Sequence, residues 1–122
     1  MIDAATIRRL ALALPDAVDE CDGDRLCFSR ASKGFAWPYR ERIHPKKPRR
    51  HRPDVIAIRC AIERKELLIE AAPEIYFDDD HYRGYPAVLV RLAAIDEAEF
   101  AAILADAWAI CAPKRRVRSP GR

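Results

Sequence analysis

Asparagine and glutamine are absent from this chain of 122 residues, and glycine and serine or threonine hydroxyls are scarce. The missing amides are the side chains that best read adenine in the major groove of DNA. The four glycines form neither the GxGxxG fingerprint nor the GxxxxGK(S/T) loop that binds phosphates. HExxH and GxSxG are also absent, which excludes the usual metalloprotease and serine-hydrolase signatures. We therefore predict no catalytic residue and no cofactor.

Long hydrophobic runs and paired cysteines are missing as well. Arg8 and Arg9 interrupt the N-terminal apolar segment, so it is too short for a secretory leader or a membrane span. We expect a cytoplasmic protein with no membrane partner. The cysteines show no CxxC spacing, which predicts buried, reduced thiols in place of a disulfide framework or a zinc site. The four cysteines are Cys21, Cys27, Cys60 and Cys111.

Positive charge is concentrated in two parts of the chain. Between Lys33 and Arg52 there are eight basic residues and one acidic residue, and the segment from Lys114 to Arg122 holds five basic residues and no acid. The rest of the chain has nine basic and eighteen acidic residues. The densest stretch is HPKKPRRHRPD, residues 44–54. Such segregation favours a polyanionic partner, nucleic acid above all, while two solvated, solubilising segments are the alternative.

Hydrophobic periodicity predicts an α+β domain. Asp3 is a candidate N-cap for a first helix, and Asp96 with Glu99 approximates a capping box for the last one. We predict a two-layer sandwich, with a small antiparallel sheet packed on helices, as a single domain over residues 1–113 and a basic, flexible tail over residues 114–122. The predicted strands lie in RLCFSR, KGFAWPYR, DVIAIRC and AVLVRL, a hairpin turn in ASKG, and a central helix in IERKELLIEAAP.

Prolines and aromatic residues define the predictions for the basic region. Three prolines predict that no regular element persists there, which leaves an extended loop between two strands. Pro38 predicts that the second strand ends or lies at a sheet edge. Trp37 shares a strand face with Phe35 and is assigned to the core, whereas Tyr39 is expected to be exposed. The three prolines of the basic stretch are Pro45, Pro48 and Pro53.

A resemblance to a known family covers nearly the whole chain. The segment DDDHYRGYPAVLVRL, followed by a helix that ends in AWAICAPKR, resembles the MmcQ/YjbR family, and LALALPDA, KGFAW, HPKKPR and PDVIAIRC are similar to it too. The resemblance implies a CyaY-like, frataxin-like sandwich. Members are commonly labelled DNA-binding, and no enzymatic activity is attached to the family. This chain has Tyr82 and Tyr85 where other members carry tryptophan around the last strand.

The basic stretch and the tail form the candidate interface for DNA. Lysine and arginine neutralise phosphates, and without amide side chains the contacts would be mainly to the backbone, with weak sequence preference. Nearby tyrosines are candidates for stacking on bases or for binding a ligand. The predicted nucleic-acid-binding residues are Arg40, Arg42, Lys46, Lys47, Arg49, Arg50, Arg52, Lys114, Arg115 and Arg116, and the predicted stacking or ligand residues are Tyr39, Tyr82 and Tyr85.

Two other functions stay open. A small-ligand or protein-interaction module would show a large apolar patch or a cavity lined by Phe35, Tyr82 and Tyr85. The three aspartates and the histidine at residues 78–81 offer hard ligands for a divalent cation, but consecutive residues project apart, so we predict a charged turn and no metal site. A homodimer formed through edge strands is compatible with the sequence.

Overall fold

A computed structural model describes residues 1–113. The elements within that range are α1 (Ala4–Leu12), β1 (Val18–Asp19), β2 (Phe28–Arg30), β3 (Lys33–Glu41), β4 (Arg50–Arg59), α2 (Ile62–Ala71), β5 (Tyr76–Phe77), β6 (Ala87–Arg91) and α3 (Glu97–Ile110). The strands form one antiparallel sheet in the order β1-β2-β3-β4-β6-β5. The predicted α+β sandwich is therefore confirmed. The predicted basic tail, with Lys114, Arg115 and Arg116, lies outside the described residues.

Helices α1 and α3 pack on one face of the sheet and enclose the larger hydrophobic core. Ile7 of α1 is fully buried there, as are Phe100 and Leu104 of α3. Burial of such surface is the dominant favourable term in folding, at about 25 cal/mol per Å² of apolar area. The strand residues in this core include Phe28, Phe35, Ile58, Val88 and Val90.

Side-chain caps mark the beginnings of the first and last helices. Oδ1 of Asp3 accepts from the backbone N–H of Thr6 at 2.8 Å, and Oδ1 of Asp96 accepts from that of Glu99 at 2.8 Å. The predicted N-cap Asp3 is confirmed, and Asp96 forms its half of the predicted capping box. The Glu99 carboxylate accepts a hydrogen bond from the Tyr76 hydroxyl, so it ties α3 to β5. No helix within residues 1–113 has the length and hydrophobicity needed to cross a bilayer.

A β-bulge changes which residues of β3 share a face. The predicted hairpin between β2 and β3 is present, but the register shifts between Phe28 and Ser29, which leaves Phe35 as an extra residue on β3. Phe35 is consequently buried in the helix-backed core, while Trp37 packs on the opposite face. The prediction that these two rings share a face was wrong, because a bulge interrupts the alternation of side chains.

Strands β3 and β4 continue past their neighbours as a short two-stranded arm. Pairing of β3 with β2 ends at Ala36, and pairing of β4 with β6 begins at Val55. Beyond these points the two strands pair with each other, and residues 42–49 join them. We call residues 39–53 the basic arm and residues 42–49 its tip.

The arm corrects the prediction of a wholly irregular basic loop. Strand β4 begins at Arg50 and includes Arg52 and Pro53, so only the tip lacks regular structure. Strand β3 does not end at Pro38 and continues to Glu41. Its side toward β2 is unpaired beyond Ala36, so Pro38 lies at a local edge, where a strand accepts proline.

The opposite face of the sheet carries a second, smaller core rich in aromatic residues. Tyr39, Tyr82 and Leu89 are buried there, with Trp37 and Phe77 packed against them. The segment between β5 and β6 lies over this face. We call residues 78–86 of that segment the aspartate loop.

The structure pairs none of the four cysteines in a disulfide, and the predicted burial is found for two of them. Cys60 and Cys111 are buried, whereas Cys21 and Cys27 are only half-buried. Burial raises the pKa of all four thiols, which keeps them protonated and poorly nucleophilic at neutral pH.

Candidate nucleic-acid interface

The arm presents cations that have no carboxylate partner within residues 1–113. Lys46 and Lys47 are exposed in the tip. The guanidinium of Arg42 donates to a backbone carbonyl oxygen of the tip at 2.9 Å, and that of Arg49 donates to one of β3 at 3.4 Å. Carbonyl contacts leave a full positive charge, which is available to an external anion. The predicted residues in this group are Arg40, Arg42, Lys46, Lys47 and Arg49.

Arg50 and Arg52 differ because carboxylates of the same chain neutralise them. Arg52 donates to both oxygens of Asp54, at 2.8 and 2.6 Å, and to Oε2 of Glu41 at 3.0 Å. Arg50 lies 3.8 Å from Glu41. The hydrogen bonds from Arg52 hold the pKa of Asp54 below its usual value, and those carboxylates raise the pKa of Arg52. These two arginines hold the base of the arm together.

A buried lysine fixes the aspartate loop. Lys65 of α2 is 2% exposed, and its ammonium donates to the carbonyl oxygens of Tyr82 at 2.6 Å and Tyr85 at 3.0 Å. It also lies 3.0 Å from Oδ2 of Asp78, so all three of its donors have acceptors. The sequence interpretation missed this residue, although Lys65 precedes Leu68 by three positions and so shares the buried side of α2.

The carboxylates of the aspartate loop are engaged in separate contacts. Oδ2 of Asp79 accepts from the Tyr39 hydroxyl at 2.7 Å, and its Oδ1 accepts from the backbone N–H of Tyr82 at 2.8 Å. Asp80 pairs with Arg83 at 2.8 Å. In the described part of the chain, no three His, Cys, Asp or Glu side chains are grouped to hold a metal ion. The run forms a hydrogen-bonded turn.

The three predicted stacking tyrosines differ in exposure. Tyr39 is only 2% exposed, so the prediction that it faces solvent was wrong. Its ring packs edge-on to Phe77, and burial together with the hydrogen bond to Asp79 raises its pKa. Tyr82 is 8% exposed, and burial raises its pKa too. Tyr85, at 44% exposed, is the member of the three that offers a ring to a partner.

A cleft of about 460 Å³ lies between the arm and the aspartate loop. Arg42 and Arg49 line it on the arm side, and His81 lines it on the loop side. Nη2 of Arg49 lies 3.3 Å from Nδ1 of His81. An arginine nitrogen can only donate, so the imidazole nitrogen is the acceptor in this contact. The other lining residues are Tyr39, Glu41, Asp79 and Asp80.

A second, aromatic groove of about 180 Å³ adjoins this cleft through His81. The rings of Trp37 and Tyr85 meet edge to face, with centroids 6.4 Å apart and an interplanar angle of 86°. The guanidinium carbon of Arg59 lies 5.4 Å from the centroid of the Trp37 ring. Phe35, which the small-ligand alternative would place beside Tyr82 and Tyr85, lies in the other core. The lining residues are Trp37, His81, Tyr82 and Tyr85.

Comparison with solved structures supports the fold class. The chain is similar to the crystal structure of Deinococcus radiodurans protein DR2400, a DUF419 domain, with a TM-score of 0.61. The match covers 88% of this chain and 77% of the other, at 19% sequence identity. At that level of identity the likeness concerns the fold alone. No family model matches the chain.

Curated relatives share part of the sequence. The chain is 40% identical over 67 residues to the uncharacterised protein Rv2570 of Mycobacterium tuberculosis and, with the same figures, to the uncharacterised protein Mb2600 of Mycobacterium bovis. The matched segment is 54% of this chain and 52% of each relative. The chain thus spans about half the length of the curated relatives it matches, and their printed names describe no activity.

Proposed function

We propose that this protein is a non-enzymatic, MmcQ/YjbR-like DNA-binding protein that contacts phosphates through its basic arm. The observation that carries the proposal is the group of five arm cations that have no carboxylate partner within residues 1–113. Two neighbouring arginines, in contrast, are already neutralised. The arm therefore keeps a cationic tip on a base that is held in place.

The shape of the arm also favours nucleic acid as its partner. A two-stranded β-ribbon fits the major groove of B-DNA, and exposed lysines and arginines at its tip can reach the phosphates on either side. The absence of asparagine and glutamine removes the best adenine readers. We infer a mode of binding that depends on phosphates and shows weak sequence preference. The basic residues of the predicted tail would add to it.

A salt titration of DNA binding tests this proposal. Fluorescence anisotropy would follow a labelled duplex with the wild-type protein and with the double variant Lys46→Ala, Lys47→Ala. Log K falls with log salt, and each lost phosphate contact makes this slope less steep by about 0.9. The variant should therefore show a slope that is less steep by about two. Both lysines are exposed, so the free energy of unfolding should stay within about 0.5 kcal/mol of wild type.

A matched control removes two positive charges elsewhere. Arg8 and Arg9 lie on α1, where they pair with Asp19 and Glu97. The double variant Arg8→Ala, Arg9→Ala has the same formal charge as the arm variant, and its salt slope should stay near that of wild type. If both variants had the same slope and it were less steep than that of wild type, the effect would be due to net charge alone and not to the arm. No binding of wild type at low salt would overturn the proposal.

A small-ligand or protein-interaction module is the second candidate, and the aromatic groove favours it. The groove offers the exposed ring of Tyr85 beside Trp37. A module of this kind would bind its ligand independently of salt, and the arm variant would bind as well as wild type does. Chemical-shift mapping with small aromatic compounds would place such a ligand at Trp37 and Tyr85.

A further inference from the structure

We propose that the cleft beside the arm and the adjoining aromatic groove together hold one unpaired nucleotide of a single-stranded nucleic acid. This inference rests on the proposed function and deepens it, because it adds a site for an unpaired base beside the arm, whose phosphate contacts are open to duplex and single strand alike. The phosphate would lie in the cleft and the base in the groove.

The phosphate side of the site is provided by Arg42 and Arg49. Each guanidinium carries five N–H donors, of which the contacts within residues 1–113 occupy only one or two. Both side chains line the cleft from the arm. Arginine presents its donors as a planar fork that matches two phosphate oxygens. The remaining donors suffice for one phosphate group.

Three carboxylates also line the cleft, and each is already matched by a partner of the chain. Glu41 accepts from Arg52, Asp80 pairs with Arg83, and Asp79 accepts from the Tyr39 hydroxyl and a backbone N–H. The charges of Glu41 and Asp80 are therefore offset locally. Asp79 accepts only from uncharged groups and keeps its negative charge, so the two cleft arginines face one uncompensated carboxylate and the local balance is positive.

The base side of the site is provided by Tyr85 and Trp37. The two rings meet edge to face, so neither covers the broad face of the other completely. Tyr85 is 44% exposed, and the Lys65 ammonium holds its backbone by donating to its carbonyl oxygen. An aromatic ring of this kind stacks on any nucleobase, without a preference for sequence. The lack of adenine-reading amides in the chain is no handicap for such a site.

Size and position determine which nucleic acid fits. The cleft and the groove, about 460 and 180 Å³, are adjacent, because His81 lines both. Their combined volume is in the range of small-molecule sites, which suits a single nucleotide. A base in a duplex is stacked on both sides and cannot place its face on Tyr85. The base must therefore be unpaired, as in single strands and loops.

The test compares a labelled oligothymidylate with its duplex on oligodeoxyadenylate, by fluorescence anisotropy. We expect the single strand to bind more tightly than the duplex. Tyr85→Ala should weaken single-strand binding about tenfold and leave duplex binding unchanged, since loss of one stacked base costs roughly that much. Tyr85→Phe keeps the ring and should keep wild-type affinity. Thermal melting would check that the Tyr85 variants are folded.

The outcomes separate this inference from the proposal it rests on. Absence of binding to either probe at low salt overturns both. Equal binding to both probes that depends on Lys46 and Lys47 but not on Tyr85 supports the arm and overturns the nucleotide site. Thymidine monophosphate that binds as tightly as the oligonucleotide, with the same loss in Tyr85→Ala, overturns the assignment to single strands, because the ligand would then be a free nucleotide.

Discussion

In the core between the sheet and helices α1 and α3, side chains such as Phe28, Val88 and Phe100 need no hydrogen bond and simply fill space. On the opposite face the rings are linked through polar atoms. Nε1 of Trp37 donates to the Tyr82 hydroxyl at 2.9 Å, and the Tyr39 hydroxyl donates to Asp79 at 2.7 Å. A volume-filling core tolerates repacking, whereas directional bonds fix positions. The first face supplies stability, and the second fixes the geometry of the candidate site.

Deleting a large ring from the helix-backed face should have the largest effect on stability. Phe100 is fully buried on α3, so Phe100→Ala leaves a cavity and should lower the free energy of unfolding by about 3–5 kcal/mol. Urea denaturation followed by circular dichroism measures this change. Leu67→Ala on α2 is the control, because Leu67 is 65% exposed and its removal should cost less than about 0.5 kcal/mol. Similar losses for the two variants would contradict the assignment of this core.

Removing the buried lysine should produce an intermediate effect that is concentrated on the other face. Lys65→Met removes the ammonium donor from the carbonyl oxygens of Tyr82 and Tyr85, which keep one backbone N–H donor each, and leaves Asp78 without its cation. Unpairing a buried charge costs about 3–5 kcal/mol, and the partial exposure of Asp78 should reduce the loss to about 2–3 kcal/mol. Amide hydrogen exchange should increase in the aspartate loop more than in α1.

A neighbouring residue provides the control for Lys65. Arg64 pairs with Asp106 on the surface, where both side chains are more than half exposed. Arg64→Met should change the free energy of unfolding by less than about 0.5 kcal/mol and leave exchange in the aspartate loop unaltered. If Lys65→Met accelerated exchange uniformly over the whole chain, the lysine would support global stability and not the loop.

The features that the sequence predicted are those with local signals. Two helix caps and the alternation of the central strands depend on residues close together in the chain. The hairpin was predicted from its flanking strands and not from its turn residues, Ala31 and Ser32. Both adopt positive φ angles, 52° and 68°, which glycine and asparagine adopt more easily. Strand pairing therefore imposes this turn.

The candidate site was predicted only in part, because its geometry depends on contacts between distant segments. Composition pointed to the basic region, but the division between free and neutralised arginines depends on where Glu41 lies across the ribbon from Arg52. Burial of Tyr39 depends on Asp79, forty positions away in the chain. No local pattern encodes such a pairing, so the burial of Tyr39 could not be predicted from the sequence around it.

The ion pairs at the base of the arm should have the smallest effect, and it should depend on pH. Arg52 holds the pKa of Asp54 below its usual value. A carboxylate with a depressed pKa stabilises the fold above its unfolded value of about 3.9, and this contribution is lost as pH falls through the lower, folded pKa. Because Asp54 is 47% exposed, solvent screening limits the effect to less than about 1 kcal/mol.

Comparison of wild type with Asp54→Asn by urea denaturation checks this prediction across the acidic range. The difference in free energy of unfolding should be constant near neutral pH and should vanish below the folded pKa, where both side chains are uncharged. In an Arg52→Met background most of the difference should disappear at every pH, because the principal cause of the shift is gone. If Asp54→Asn were more stable than wild type near neutral pH, with the difference vanishing in acid, the pair would oppose folding. The arm's base would then owe its position to strand pairing between β3 and β4 alone.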